Sequence, residues 1–169
     1  MPRLLLSAAM LLLIAPASAA SAAVAASQNA NGHATLLSSL SVLKKSDLEF
    51  GELIVSSAGT AVIDPVSGTV TTTGGVLQGG AGAHAATFTA TGSKNSVVLI
   101  KLPKNPVTLT RVGGTQTMTV SNWTLDGSNP RRVPTTDVFD FAVGGTINVG
   151  AGQPDGDYVG SFAVTVQYP

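Results

Sequence analysis

Apolar and polar side chains alternate with a period of two in short runs along most of the chain after residue 34. The longest run is Asp157–Tyr168. One of its faces carries Tyr158, Gly160, Phe162, Val164, Val166 and Tyr168. Alternation of this kind predicts a β-strand with one buried face. Twelve residues at about 3.3 Å each predict a single strand about 40 Å long.

Further candidate strands share β-branched side chains and are bounded by Gly, Pro, Asn or Asp. They are 36–42, 48–51 leading into 53–55, 60–63, 69–73, 87–91, 97–102, 107–111, 116–125, 139–143 and 146–149. The run Val97–Leu102, in which Lys101 is the one polar residue, predicts a strand buried on both faces. Asp64–Gly68 has Pro and Gly where a turn requires them, so it predicts a five-residue hairpin loop.

Many short strands with turns between them, and no sustained helical period, predict an all-β fold. The arrangement we expect is an antiparallel immunoglobulin-like β-sandwich, with a jelly-roll-like arrangement as the second choice. It forms a single domain over residues 34–169. The chain is predicted to reach this fold after loss of a signal peptide.

The first residues predict export. Arg3 precedes the apolar run Leu4–Ile14, and Ala17-Ser18-Ala19 is a small-x-small cleavage pattern, so residues 1–19 are predicted to be a cleaved signal peptide. Residues 20–33 are rich in Ala, Ser and Asn and predict a flexible N-terminal arm. The predicted location is the periplasm, the cell surface or the extracellular space. No later segment is long and apolar enough for a transmembrane helix.

Charge and cysteine content narrow the possible functions. The chain has nine basic and nine acidic residues, so it lacks the basic field that nucleic acid requires. It has no cysteine, which excludes disulfides and thiolate metal sites. We therefore expect no nucleic-acid partner and a sandwich held by its own core or by a partner that completes it.

No catalytic, cofactor or metal site is predicted. His33 and His84 have no second ligand at metal-binding spacing, so both are interpreted as loop histidines. Asp155-Gly156-Asp157 is interpreted as a turn, because a calcium loop needs more oxygen ligands at regular spacing. Arg131-Arg132 is interpreted as part of a solvated loop. The protein is accordingly predicted not to be an enzyme.

Four motifs together resemble an exported bacterial family called domain of unknown function 4402, over about residue 34 to the end of the chain. They are Leu48–Ile54, Asp64-Pro65-x-x-Gly68, Gly144–Ala151 and Gly156–Tyr168. The resemblance implies export and a β-sandwich, and it implies no activity.

The final segment also resembles the end of chaperone–usher pilins, including the spore-coat-U-like class. Tyr168 is a penultimate aromatic residue, and Gly156 stands fourteenth from the end. This resemblance implies a sandwich that lacks one strand, with Gly156–Tyr168 as the assembly strand. A periplasmic chaperone would fill the groove first, and the N-terminal arm of an identical or related subunit would replace it.

Two functions remain open at this point. The first is a non-catalytic structural or adhesive subunit of a surface fibre, assembled by β-strand donation. The second is a self-contained secreted or envelope β-sandwich that binds an unknown ligand. Leu36, Leu40 and Val42 serve as a donor strand in the first case and as the domain's own first strand in the second.

Overall fold

The computed structural model describes Gln28 and residues 30–169. The predicted signal peptide, residues 1–19, and most of the predicted arm, residues 20–33, lie outside the described residues. Leu36–Pro169 forms one compact unit, and residues 30–169 contain strands and turns without an α-helix. No helix in this part of the chain has the length and apolarity needed to cross a membrane.

The strands are rich in Thr, Val and aromatic residues, which suit a pleated and half-buried surface. In chain order they are β1 (Ser41–Ser46), β2 (Leu53–Ile63), β3 (Val70–Gln78), β4 (Ala86–Thr91), β5 (Val97–Lys101), β6 (Val107–Arg111), β7 (Thr117–Leu125), β8 (Arg131–Arg132), β9 (Val138–Val149), β10 (Tyr158–Val159) and β11 (Thr165–Gln167).

Every pairing between these strands is antiparallel, which confirms the predicted all-β antiparallel sandwich. The large sheet has the order β1-β4-β9-β7-β6-β10, and β2 joins it by pairing with β9 on one side and with β3 on the other. The small sheet has the order β11-β5-β8.

The long strand β9 organises the large sheet. Its first half, up to Val143, pairs with β4, and its second half, from Gly145, pairs with β2. Gly144 lies at this change of partner. A Cβ atom there would sit 2.2 Å from the carbonyl oxygen of Ile63, so the close approach of β2 requires glycine.

The interior consists of two hydrophobic clusters. The first lies between the two sheets and contains Phe88, Phe141, Val98, Ile100 and Val166 among its buried members. The second lies against the other half of the large sheet. Its buried members include Phe50, Ile63, Val76, Val120 and Ile147.

The hairpin loop after β2 has the chemistry that the sequence predicts. The Asp64 carboxylate accepts hydrogen bonds from the backbone N–H groups of Val66, at 2.7 Å, and Ser67, at 2.9 Å. Gly68 has a φ of 69°, which a residue with a side chain rarely adopts. The hydrogen bonds to Asp64 hold the pKa of its carboxyl below the usual value.

Several strand predictions were wrong in detail. The first strand begins at Ser41, and Leu36 precedes it with 90% of its surface exposed. The strand β5 is fully buried on one face only, because Val98 and Ile100 are buried whereas Val97 and Lys101 on the other face are exposed. Arg131-Arg132 forms the short strand β8 rather than a solvated loop, and the Arg131 side chain lies 3.0 Å from the Asp126 carboxylate.

Candidate functional site

The predicted final strand is divided between the two sheets. Tyr158-Val159 pairs with β6 in the large sheet, and Thr165–Gln167 pairs with β5 in the small sheet. The intervening residues 160–164 belong to no strand. The prediction of one continuous strand was therefore wrong, because the chain crosses from one sheet to the other at this point.

The alternation of side chains nevertheless continues across the break. Tyr158, Phe162, Val164, Val166 and Tyr168 are all partly or fully buried, whereas the alternate residues from Asp157 to Thr165 are exposed. Val166 packs in the first cluster, and Phe162, Val164 and Tyr168 pack against it. An extended chain keeps this alternation whether or not its backbone is paired.

The two glycines of the segment are placed by close contacts and backbone conformation. Gly156 has a φ of 134°, in a turn where the Nε of Arg111 donates to the carbonyl oxygen of Asp155 at 2.8 Å. A Cβ atom on Gly160 would lie 2.6 Å from the carbonyl oxygen of Thr108. Glycine therefore lets the segment run close against β6.

Phe162 enters the interior from the unpaired stretch. Its ring lies 4.5 Å from the Trp123 ring and 6.5 Å from the Phe88 ring, measured between centroids. The Trp123 indole Nε1 is buried without a hydrogen-bond partner among the described residues. Trp123 is the single tryptophan of the chain, and it contacts both hydrophobic clusters.

At the other end of the segment, Tyr168 ties the chain to residues just before β1. Its hydroxyl donates to the carbonyl oxygen of Ser38 at 2.8 Å and accepts from the backbone N–H of Ser93 at 2.8 Å. The end of β11 and the start of β1 are therefore neighbours.

Strand β1 has an incomplete environment. Val42 and Lys44 pair with Ala90 and Phe88, two core residues of β4, so their side chains point to the core side of the sheet. Yet Val42 is 39% exposed, and the Lys44 side chain is 56% exposed. The described part of the chain therefore covers this face of β1 only partly.

A cavity of about 1040 Å³ lies beside Lys44. Its lining comes mainly from two segments that are far apart in the sequence, residues 44–53 and residues 153–162. Side chains of the second hydrophobic cluster form its apolar part, including Leu109, Met118, Val120 and Ile147. The cavity is therefore an open continuation of the interior, and we call it the groove.

The strands beside the groove have free edges. Among the described residues, β1 pairs only with β4, and β10 pairs only with β6. Unpaired backbone N–H and C=O groups along such edges can bind a further extended strand. The groove therefore combines an apolar floor with backbone groups able to extend the large sheet.

The titratable residues considered in the sequence do not converge on a reaction centre. His84 forms a bridge with Glu49 through backbone groups, and its Nδ1 lies 3.2 Å from the carbonyl oxygen of Ala85. Asp140 accepts a hydrogen bond from Thr89, which is the main reason that the pKa of its carboxyl is lowered, and it pairs with Lys45. In the described range, no three His, Cys, Asp or Glu side chains form a cluster that could hold a metal ion.

The family model of Domain of unknown function (DUF4402) matches residues 40–168. The chain belongs to this family. No curated protein and no solved structure matches it. The matched range begins next to β1 and ends at Tyr168, so it includes both segments that line the groove.

The sequence did not reveal the side of the groove formed by residues 44–53. This stretch mixes Lys, Asp and Glu with Leu48, Phe50 and Leu53, so it lacks a regular alternation. The available signal was the spacing of its three large apolar residues, which all contact the clusters.

Proposed function

We propose that this DUF4402 domain is an exported, non-catalytic structural subunit whose sandwich is completed by an extended strand from another chain. In this proposal the signal peptide directs export, and subunits join into a pilin-like surface fibre. A periplasmic chaperone strand would occupy the groove before assembly.

The groove is the observation that carries this proposal. A sandwich with a complete core buries the inward side chains of its strands, whereas here Lys44, on the core side of β1, is exposed and lines a cavity of about 1040 Å³ with an apolar floor. A further strand would cover that apolar surface and pair with the free edges. Both gains favour completion by a partner.

The segment before β1 in a second copy is the proposed donor. Residues 30–37 belong to no strand, since β1 begins at Ser41. In an extended chain, Val24, Ala26, Ala30, Ala34 and Leu36 fall on one face. Leu36 is 90% exposed within its own subunit, so it is free to bury itself in a neighbour.

The test compares the chain without residues 1–19 with the same chain lacking residues 1–37. Size-exclusion chromatography and negative-stain microscopy should show oligomers or fibres for the first and monomers for the second. Two matched variants test the face of the donor. Leu36→Asn should block assembly, whereas Leu37→Asn, on the opposite face, should reduce it much less.

A chain that stays monomeric with its N-terminal segment intact, and that unfolds reversibly in one step, would contradict the proposal. That result would favour a self-contained binding domain. Fibres that form without residues 20–37 would show that the donor lies elsewhere.

A further inference from the structure

The charges around the groove are unevenly distributed. The chain has nine acidic residues, and five of them line the groove: Asp47, Glu49, Glu52, Asp155 and Asp157. Lys44 is the one basic residue among the groove-lining residues. A chain with no net charge therefore concentrates negative charge at this place.

Four of these carboxylates are not neutralised by contacts. Glu49, Glu52, Asp155 and Asp157 are exposed, and none of them has an ion-pair partner within residues 30–169. Asp47 pairs with Lys44 at 2.5 Å. Arg111 lies nearby, but its Nε donates to the backbone of Asp155. Five carboxylates against two cations leave an excess of three negative charges.

The proposed donor segment does not balance this charge. Residues 20–37 contain no Lys, Arg, Asp or Glu, and His33 is their one titratable side chain. The acidic rim therefore has no lysine or arginine to pair with in the arm of a second copy. It would strengthen the binding of a strand that carries positive charge beside its apolar side chains.

We infer that the groove also accepts an extended segment of a different protein, in which apolar residues alternate and lysine or arginine residues face the rim. This inference rests on the strand-completion function proposed above, and it names the chemistry of a second occupant. The apolar floor binds the inward side chains of either occupant. The rim favours the basic one.

The acidic rim should affect how fast a strand associates with the groove and which strand the groove prefers. Like and opposite charges within about 10 Å of each other still interact at moderate ionic strength, and the interaction is screened as salt rises. Opposite charges raise the association rate more than they lower the dissociation rate. A basic strand should therefore reach the groove faster than the uncharged arm at low salt.

The test uses the chain without residues 1–19 and three synthetic peptides. The first peptide is residues 20–37 unchanged. The second carries Ser27→Lys, Asn29→Lys and Asn31→Lys, and the third carries glutamate at the same positions. These three positions lie on the strand face opposite Val24 and Leu36, so the apolar face is identical in all three peptides.

Binding is followed by the fluorescence of Trp123, which lines the groove. At about 25 mM NaCl the lysine peptide should bind at least tenfold more tightly than the glutamate peptide, and at about 500 mM most of this difference should disappear. The double variant Glu49→Gln/Glu52→Gln should weaken the binding of the lysine peptide but not that of the other two peptides. Asp137→Asn, which removes a partly exposed carboxylate that pairs with Lys94 and does not line the groove, should leave the ratio unchanged.

The outcomes separate the two proposals. Equal affinities for all three peptides would overturn the charge inference and leave strand completion intact. A lysine preference that persists at high salt, or in the Glu49→Gln/Glu52→Gln variant, would also overturn it. Failure of every peptide to bind would overturn both proposals.

Discussion

The two halves of the large sheet differ in what covers them. Around Phe88 and Phe141, the small sheet β11-β5-β8 supplies a second layer, and the side chains between the layers are almost completely buried. Around Val120 and Ile147, the same large sheet borders the groove. We call these the covered half and the open half.

The difference arises where the final segment leaves one sheet for the other. Residues 165–167 extend the small sheet over the covered half, whereas residues 158–159 remain at the edge of the large sheet beside the groove. The two halves of the large sheet therefore differ in whether a second layer covers their core side chains. One domain can thus hold a core closed between two sheets beside a second cluster that borders an open groove.

The largest expected effect is in the covered half. Phe141→Ala removes a ring that is 1% exposed and stacks on Phe88 at 5.1 Å between centroids. Loss of a buried Phe side chain should lower the free energy of unfolding by about 3–5 kcal/mol, because a cavity remains in a close-packed region. Urea denaturation of the purified chain measures this loss. A loss below about 1 kcal/mol would mean that the covered half is not the stable part of the domain.

Features that neighbouring residues determine could be predicted from the sequence, whereas features that depend on residues far apart in the sequence could not. The Asp64–Gly68 loop follows from its own residues, and the structure confirms it. The inward face of Asp157–Tyr168 also follows from local alternation. Its division between two sheets does not, because a period of two is the same for a paired and an unpaired extended chain.

The groove is a longer-range feature and could not be predicted from any single run. It requires that residues 44–53 and 153–162, far apart in sequence, line one cavity without pairing to each other. The exposure of Val42 on the core side of β1 appears only when the register with β4 is known. A groove is a space between segments and has no residues of its own, so no local pattern in the sequence encodes it.

A matched change at the border between the covered half and the groove should have a smaller effect on stability. Phe162→Ala removes the same side chain as Phe141→Ala, but Phe162 is partly exposed and lines the groove. We expect a loss of about 1–2 kcal/mol, since less apolar surface is transferred from water on folding. Urea denaturation gives the value, and Trp123 emission should shift to longer wavelength as its ring loses the contact at 4.5 Å.

The same variant sharpens the comparison through binding. Phe162→Ala should weaken the binding of the peptide 20–37, because it changes the groove floor. A Phe141→Ala protein that remains folded should bind the same peptide normally. Equal losses of stability in the two variants would show that the border of the groove is as well packed as the covered half, which would contradict the distinction drawn from the groove.

The smallest expected effect is at the Asp64 loop, which is held by its own hydrogen bonds and does not depend on either half of the large sheet. The pKa of Asp64 is lowered chiefly by the backbone N–H groups of Ser67 and Val66, so its charged form is favoured in the folded state. Its contribution to stability is therefore fully present above the pKa of about 3.9 of an unfolded Asp, and it is lost as pH falls through the lower folded value. Asp64→Ala should lower the urea midpoint at pH 7 and have less effect near pH 2. Asp64→Asn keeps a side-chain oxygen acceptor without the charge, so its midpoint at pH 7 should fall between those of the parent and Asp64→Ala. If the peptide 20–37 changed this pH dependence, the loop would be coupled to the groove rather than independent of it.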